Sequence, residues 1–210
     1  MYLPKHFEEP SIAVMHELMR THPLATLVTL ASNGLNANHI PLQLADAASP
    51  FGILQGHVAR ANPLWRDYAK DIEALAIFQG PEAYITPSWY ATKKETGKVA
   101  PTWNYAVVHA SGFLRVIDDA CWVRAHLDTL TDDHEAARHE PWKVTDAPDD
   151  FTEQMIAAVV GIEIVITRLS GKWKVSQNQP PQNQAGVIQG LNANGATPMA
   201  ALVHARMGNC

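Results

Sequence analysis

Apolar positions along the chain change their period several times, and each change marks an element. Ile12, Met15, Leu18 and Met19 share one helical stripe behind Ser11, a good N-cap, and Pro23 closes the pattern, which predicts a short helix through about Arg20. Leu24 to Leu30 is a strand. Ser32-Asn33-Gly34 turns it into a second strand over Leu35 to Leu44, where Pro41 indicates an edge or a bulge. A third strand, Phe51 to His57, runs to Asn62, placed to cap a helix that has Pro63 at its first position. Glu73 to Gln79 reads as a strand, followed by Pro81 and Tyr84-Ile85, and residues 86–101 as a polar loop. Trp103 to Ile117 is a long strand bent near Gly112. Helical patterns cover roughly 119–138 and 149–158; Val159 to Leu169 is a strand that Gly171-Lys172 turns into Trp173 to Asn178. Gln179 to Gln184 reads as a polar linker, before short helical patterns around Val187 to Leu191 and Met199 to Arg206.

Five to seven strands without βαβ alternation predict a mainly β protein with helices, an antiparallel barrel rather than a doubly wound sheet. With 47% hydrophobic residues in 210, the chain can build a substantial core without staples. Net charge is −5 and no basic run exceeds Lys93-Lys94, so the composition argues against direct binding of duplex DNA, which draws its affinity from phosphate neutralisation. Cys121 and Cys210 form neither a disulfide framework nor a CxxC site. Met1 to Pro10 is mixed in polarity, and no window reaches the ~20 apolar residues of a membrane helix. The expectation is a cytoplasmic protein with no membrane association.

The most informative stretch is Gly56-His57-Val58-Ala59-Arg60-Ala61-Asn62-Pro63. A helix start flanked by His57 and Arg60 would offer a phosphate both N–H groups and positive charge; an ordinary connection with a solvated Arg60 gives the same spacing. Trp89-Tyr90, Trp103-Asn104-Tyr105 and Trp173 interleave aromatics with amides. Such a set suits the wall of a planar ring, and equally a core or a subunit interface. Ser176-Gln177-Asn178 either caps a turn or touches a ligand.

Other motifs fail. His134 and His139 are five apart, one too many for a zinc-protease helix, and Gly186 to Gly190 makes no dinucleotide fingerprint. Ser88 and Ser176 lack the glycines of a nucleophile elbow. No metal site is expected, no catalytic residue is identified, and His16, His22, His126 and His204 read as surface or packed residues.

Taken together, several stretches resemble the PaiB family: Met1 to Phe7, Gly56 to Pro63, Ile77 to Pro81, Tyr84 to Tyr90, Val99 to Tyr105, Trp142 to Pro148, Val160 to Glu163 and Gly171 to Asn178. The resemblance covers roughly residues 1–191. It implies an FMN-binding antiparallel split β-barrel, similar in fold to pyridoxamine-phosphate oxidase, over 1–178, with a helical extension over 179–210. It further implies a homodimer with FMN at the interface. Asn38, His39 and Ile40 would lie beside the flavin ring, and His57, Arg60 and Asn62 would hold the phosphate. Trp103, Asn104 and Tyr105 would reach in from the second subunit, with Gln177 and Asn178 near the ring edge. The family carries the name of a negative transcriptional regulator, acting here through flavin or another small-molecule ligand. The alternatives are an FMN-dependent oxidoreductase on an unknown small substrate, or a haem-binding or haem-degrading split barrel with His39, His57 or His109 as axial ligand.

Overall fold

The computed structural model describes residues 1–45 and 49–207; Cys210 lies outside them. The chain opens with β1 (Glu8–Glu9), α1 (Ile12–Thr21), β2 (Leu24–Ala31), β3 (Gly34–Pro41), β4 (Gln43–Ala45) and β5 (Ile53–Ala59). It continues with β6 (Ala74–Ile85), α2 (Lys93–Thr96), β7 (Thr102–Ile117), α3 (Ala120–Glu135) and α4 (Asp149–Ala157). It ends with β8 (Val159–Lys174), α5 (Pro181–Ala193) and α6 (Thr197–Ala205). The strand order is β3-β2-β6-β7-β8-β5-β4, with β1 on β8.

Two compact units share these elements: Met1–Leu18, Gln79–His109 and Ser170–Cys210 form the first, Met19–Phe78 and Ala110–Leu169 the second.

The second unit holds the barrel. The two ends of the strand order, β3 and β4, are consecutive in the chain and separated only by Leu42. A twisted antiparallel sheet whose edges are joined so closely must curl until they meet, leaving a split where the ladder is not continuous. Leu42 is fully buried at this corner, and its N–H donates to the Pro23 carbonyl at 2.9 Å. Gly56 on β5 makes room for it: a Cβ there would stand 2.7 Å from Leu42 Cδ2 and 3.1 Å from the Pro41 carbonyl. Leu27, Leu54, Ile162 and Ile164 fill the barrel core, alternating with more exposed neighbours as a half-buried strand requires. Gly112 on β7 likewise permits a close approach, since a Cβ there would meet the Val165 carbonyl at 2.1 Å.

The first unit gathers the chain start, the outer halves of β6 and β7, the end of β8 and the helices α5 and α6. Gly186 and Gly190, which match no nucleotide motif, form a flat seat on α5 for Trp89; Cβ atoms would come within 2.0 Å and 2.2 Å of it.

Several elements differ from the sequence reading, among them β6, which runs on through Pro81 to Ile85, and α2, which lies within the stretch read as a polar loop. The strand over 35–44 is broken at Leu42 by barrel closure. The helix after Asn62 is a three-residue 3-10 turn, Pro63–Trp65; Asn62 Oδ1 does accept the Leu64 N–H at 3.0 Å, but the Asp67 carboxylate is drawn to Ser32 instead, through the N–H at 2.9 Å and Oγ at 2.8 Å. β8 runs straight through Gly171-Lys172, because β1 supplies partners for both in register. The stretch after Gln179 is helical from Pro181, and Asn183 and Gln184 are buried and bonded rather than solvated.

Candidate functional site

In the second unit, His57 lies on the face of β5 that α3 covers. Asp119 caps that helix, accepting the Trp122 N–H at 2.7 Å, which fixes its first turn. Trp122 lies over Gly161, the β8 partner of His57; a Cβ there would meet the indole at 2.3 Å. One turn on, His126 stacks on Trp122, ring centroids 5.3 Å apart, and its Nε2 is 3.3 Å from His57 Nδ1. His126 Nδ1 has no hydrogen-bond partner among the described residues. Burial, with His57 adding to it, pushes the His126 imidazole down to about 4, and burial also lowers His57 below its ordinary value. Both rings are therefore neutral near pH 7, and His57 brings no charge to a phosphate there.

Arg60 uses four of its five N–H donors. Its Nη1 and Nη2 clasp Asp118 at 3.1 and 2.7 Å, Nε donates to the Ala157 carbonyl at 2.8 Å, and Nη2 also reaches the Val159 carbonyl at 3.1 Å. The Asp118 hydrogen bond raises Arg60's pKa and lowers that of the carboxyl. This fork ties the end of β5 to the β7–α3 junction and the start of β8. A phosphate would compete with Asp118 for this guanidinium.

Asn62 Nδ2 donates to Asn38 Oδ1 at 2.8 Å, and Asn38 Nδ2 to Asn36 Oδ1 at 3.3 Å, a chain of amides from β3 to the 3-10 turn. Side chains alternate along β3, so Asn38 and Ile40 share one face and the exposed His39 takes the other. The three do not turn their side chains towards one ring.

In the first unit, Trp103 is 55% exposed and meets Tyr84 edge-on at 5.9 Å. With Tyr105, Gln79, Glu82 and His109 it lines a cleft of about 430 Å³. Burial lowers the pKa of His109. Asn104 faces the other way and is buried: Nδ2 donates to Ser176 Oγ at 2.9 Å, and Oδ1 has no donor. Gln177 folds back on its own strand end, its Oε1 accepting from the Val175 N–H at 2.8 Å and its Nε2 donating to the Trp173 carbonyl. Asn178 is exposed beside Lys174 and Ser176, in a second cleft. Tyr90 and Trp173, from the same aromatic set, are core residues.

Sequence reading missed Asp118, Trp122 and the role of His126, since each acts through a partner distant in the chain. It also missed Lys172 and Lys174, whose alternation with Trp173 and Val175 has the look of a solvated strand face. Among the described residues no group of His, Cys, Asp or Glu is arranged to hold a metal ion, and no helix is long and apolar enough to cross a membrane.

A family model described as "Putative FMN-binding domain" matches residues 1–168. An uncharacterized protein of Emericella nidulans is 33% identical over 226 residues, covering 91% of this chain and 90% of its own. The protease synthase and sporulation protein PAI 2 of Bacillus subtilis is 28% identical over 191 residues, covering 91% and 89%. Among solved structures, the FAD and heme binding protein of Mycobacterium smegmatis superposes with a TM-score of 0.57 at 18% identity, over 80% of this chain and 73% of that one. At that identity the likeness concerns the fold, an antiparallel split barrel.

Proposed function

The chain belongs to the FMN-binding domain family, the PaiB family of its motifs, and from that premise we propose that it is a homodimeric flavin-binding split barrel that regulates through its bound flavin or a small-molecule ligand. One observation carries the reading: Trp103 presents its ring to an open cleft, with Tyr84 braced against it and Tyr105 and Gln79 on the same wall. Soluble proteins rarely leave a tryptophan so exposed beside a cavity unless a planar ligand or a partner surface covers it. A second protomer covering this wall would supply the closed pocket that a flavin ring needs.

The residues fit the ring of FMN better than its phosphate. Trp103, Tyr105 and Gln79 of one protomer would provide aromatic faces and an amide, and Asn36, Asn38 and Asn62 of the other further amides. Arg60 is already charge-paired with Asp118, so a phosphate would compete with that carboxylate for it. When bound, FMN supplies redox chemistry; the protein's share is to orient the ring and exclude water.

The test is a titration of FMN with purified protein, following quenching of flavin fluorescence, with light scattering on the same sample. Quenching at micromolar protein and a dimer mass are expected, both reduced in Trp103→Ala. A monomer that leaves flavin fluorescence unchanged overturns the reading. Regulation through a ligand rather than direct DNA contact predicts no gel shift of duplex DNA that weakens steeply with salt.

A further inference from the structure

In the first unit, a cleft of about 570 Å³ lies between the loop after α2, the start of β7 and the turn beyond β8. Its described lining carries two cations, Lys98 and Lys174, and no carboxylate. Lys174 is half-buried there with only neutral partners: Nζ donates to Thr102 Oγ1 and to the Trp103 carbonyl, both at 2.5 Å, and the Phe7 ring lies 5.9 Å away. An ammonium has three N–H donors, so one remains for a ligand.

Two residues back on the same strand face, Lys172 is buried too. It donates to the Tyr2 carbonyl at 3.1 Å and stands over the rings of Tyr2 and Tyr105. Glu8 is its partner in register, yet neither ammonium is in an ion pair among the described residues. Burial, and then Lys172, lower the pKa of Lys174. Buried charge normally finds a counter-charge, and the described residues provide none here.

Two further features mark the same wall. Asn104 is buried with Oδ1 lacking a donor, and Ser176 is held in the left-handed region at φ 66, which a non-glycine residue adopts at a cost. Asn104 Nδ2 and Gln184 Nε2 hold Ser176 there, at 2.9 and 3.1 Å.

The geometry points to a binding site for a small organic carboxylate with an apolar body, its carboxylate taken by Lys174 Nζ and a hydroxyl or amine of its own meeting Asn104. A phosphoryl group fits less well. It draws on arginine forks or several backbone N–H groups, whereas the described lining holds no arginine, and Pro101 and Pro180 offer no N–H. Phe7, Tyr90 and Val99 give the apolar part its surface. The site goes beyond the flavin reading and does not rest on it.

The test uses the full-length protein, titrated calorimetrically with phenyllactate, acetate and inorganic phosphate, each with and without FMN. Phenyllactate is expected to bind most tightly, and Lys174→Met to weaken it about tenfold or more, the loss of one charge-assisted bond. As a readout that needs no variant to fold, phenyllactate should shield Lys174 of the wild-type protein from reductive methylation, measured by mass spectrometry. No binding at millimolar phenyllactate overturns the proposal, as does tighter binding of phosphate, or shielding of Lys174 by FMN instead. Flavin quenching read on the same samples keeps the two outcomes apart.

Discussion

Arg60 in the barrel unit and Lys174 in the other are both cations at the end of a strand, and their surroundings differ in kind. Arg60 meets a carboxylate and two carbonyls that use four of its five N–H donors, so its charge is compensated where it joins three segments of backbone. Lys174 meets a hydroxyl, a carbonyl and a ring face, and keeps a donor and an uncompensated charge beside a cleft. Proximity of a basic residue to a strand end therefore says little about anion binding. What decides is whether the fold has already supplied the anion.

Changes to either region test this contrast. The largest effect belongs to the barrel, at the buried imidazoles packed beneath Trp122. The folded state holds His126 neutral down to about pH 4, whereas the unfolded chain takes up its proton near 6.5. Over that window the unfolded state binds more protons, so the stability is present above 6.5 and is lost as pH falls through about 4. The full loss is about 3 kcal/mol. Urea midpoints measured across this range should fall accordingly, and His126→Phe should flatten most of the slope, leaving the smaller part due to His57.

Next in size is the tie beneath the cleft. Asn104→Ala strands Ser176 Oγ and removes a buried amide, with an expected cost of about 1–3 kcal/mol in equilibrium unfolding. A variant as stable as the wild type would mean that Asn104 is not what sets the wall.

The smallest change is at the fork itself. Both partners are substantially exposed, so Asp118→Asn is expected to move stability little. Its value lies in ligand binding. If the FMN phosphate engages Arg60 only after Asp118 lets go, Asp118→Asn should tighten FMN severalfold and Arg60→Ala should weaken it. Equal FMN affinity in both variants would place the phosphate elsewhere and leave Arg60 a structural clasp.

Much of the fold was legible because it is governed by local patterns. Asn33-Gly34 between two apolar runs specified the β2–β3 hairpin, and the run from Trp103 to Ile117 specified β7. Ser11 marked the start of α1. The misreadings arose where tertiary contacts overruled a local preference: β1 keeps Gly171-Lys172 extended, and barrel closure at Leu42 breaks the strand over 35–44. The site was legible only in part. Arg60, Asn62 and Trp103 stand out by residue type and neighbours, but that Arg60 is occupied by a residue 58 positions on and Trp103 faces an open cleft has no local signal.

By itself, the sequence determined the kind of elements, their order, and the family, since propensity, period and motif are properties of neighbouring residues. Only the tertiary structure decided which charges are compensated and which are left over: Asp118 lies against Arg60, while no carboxylate among the described residues reaches Lys174. Charge compensation depends on distances of a few ångström between segments far apart in the chain, and folding alone sets those distances.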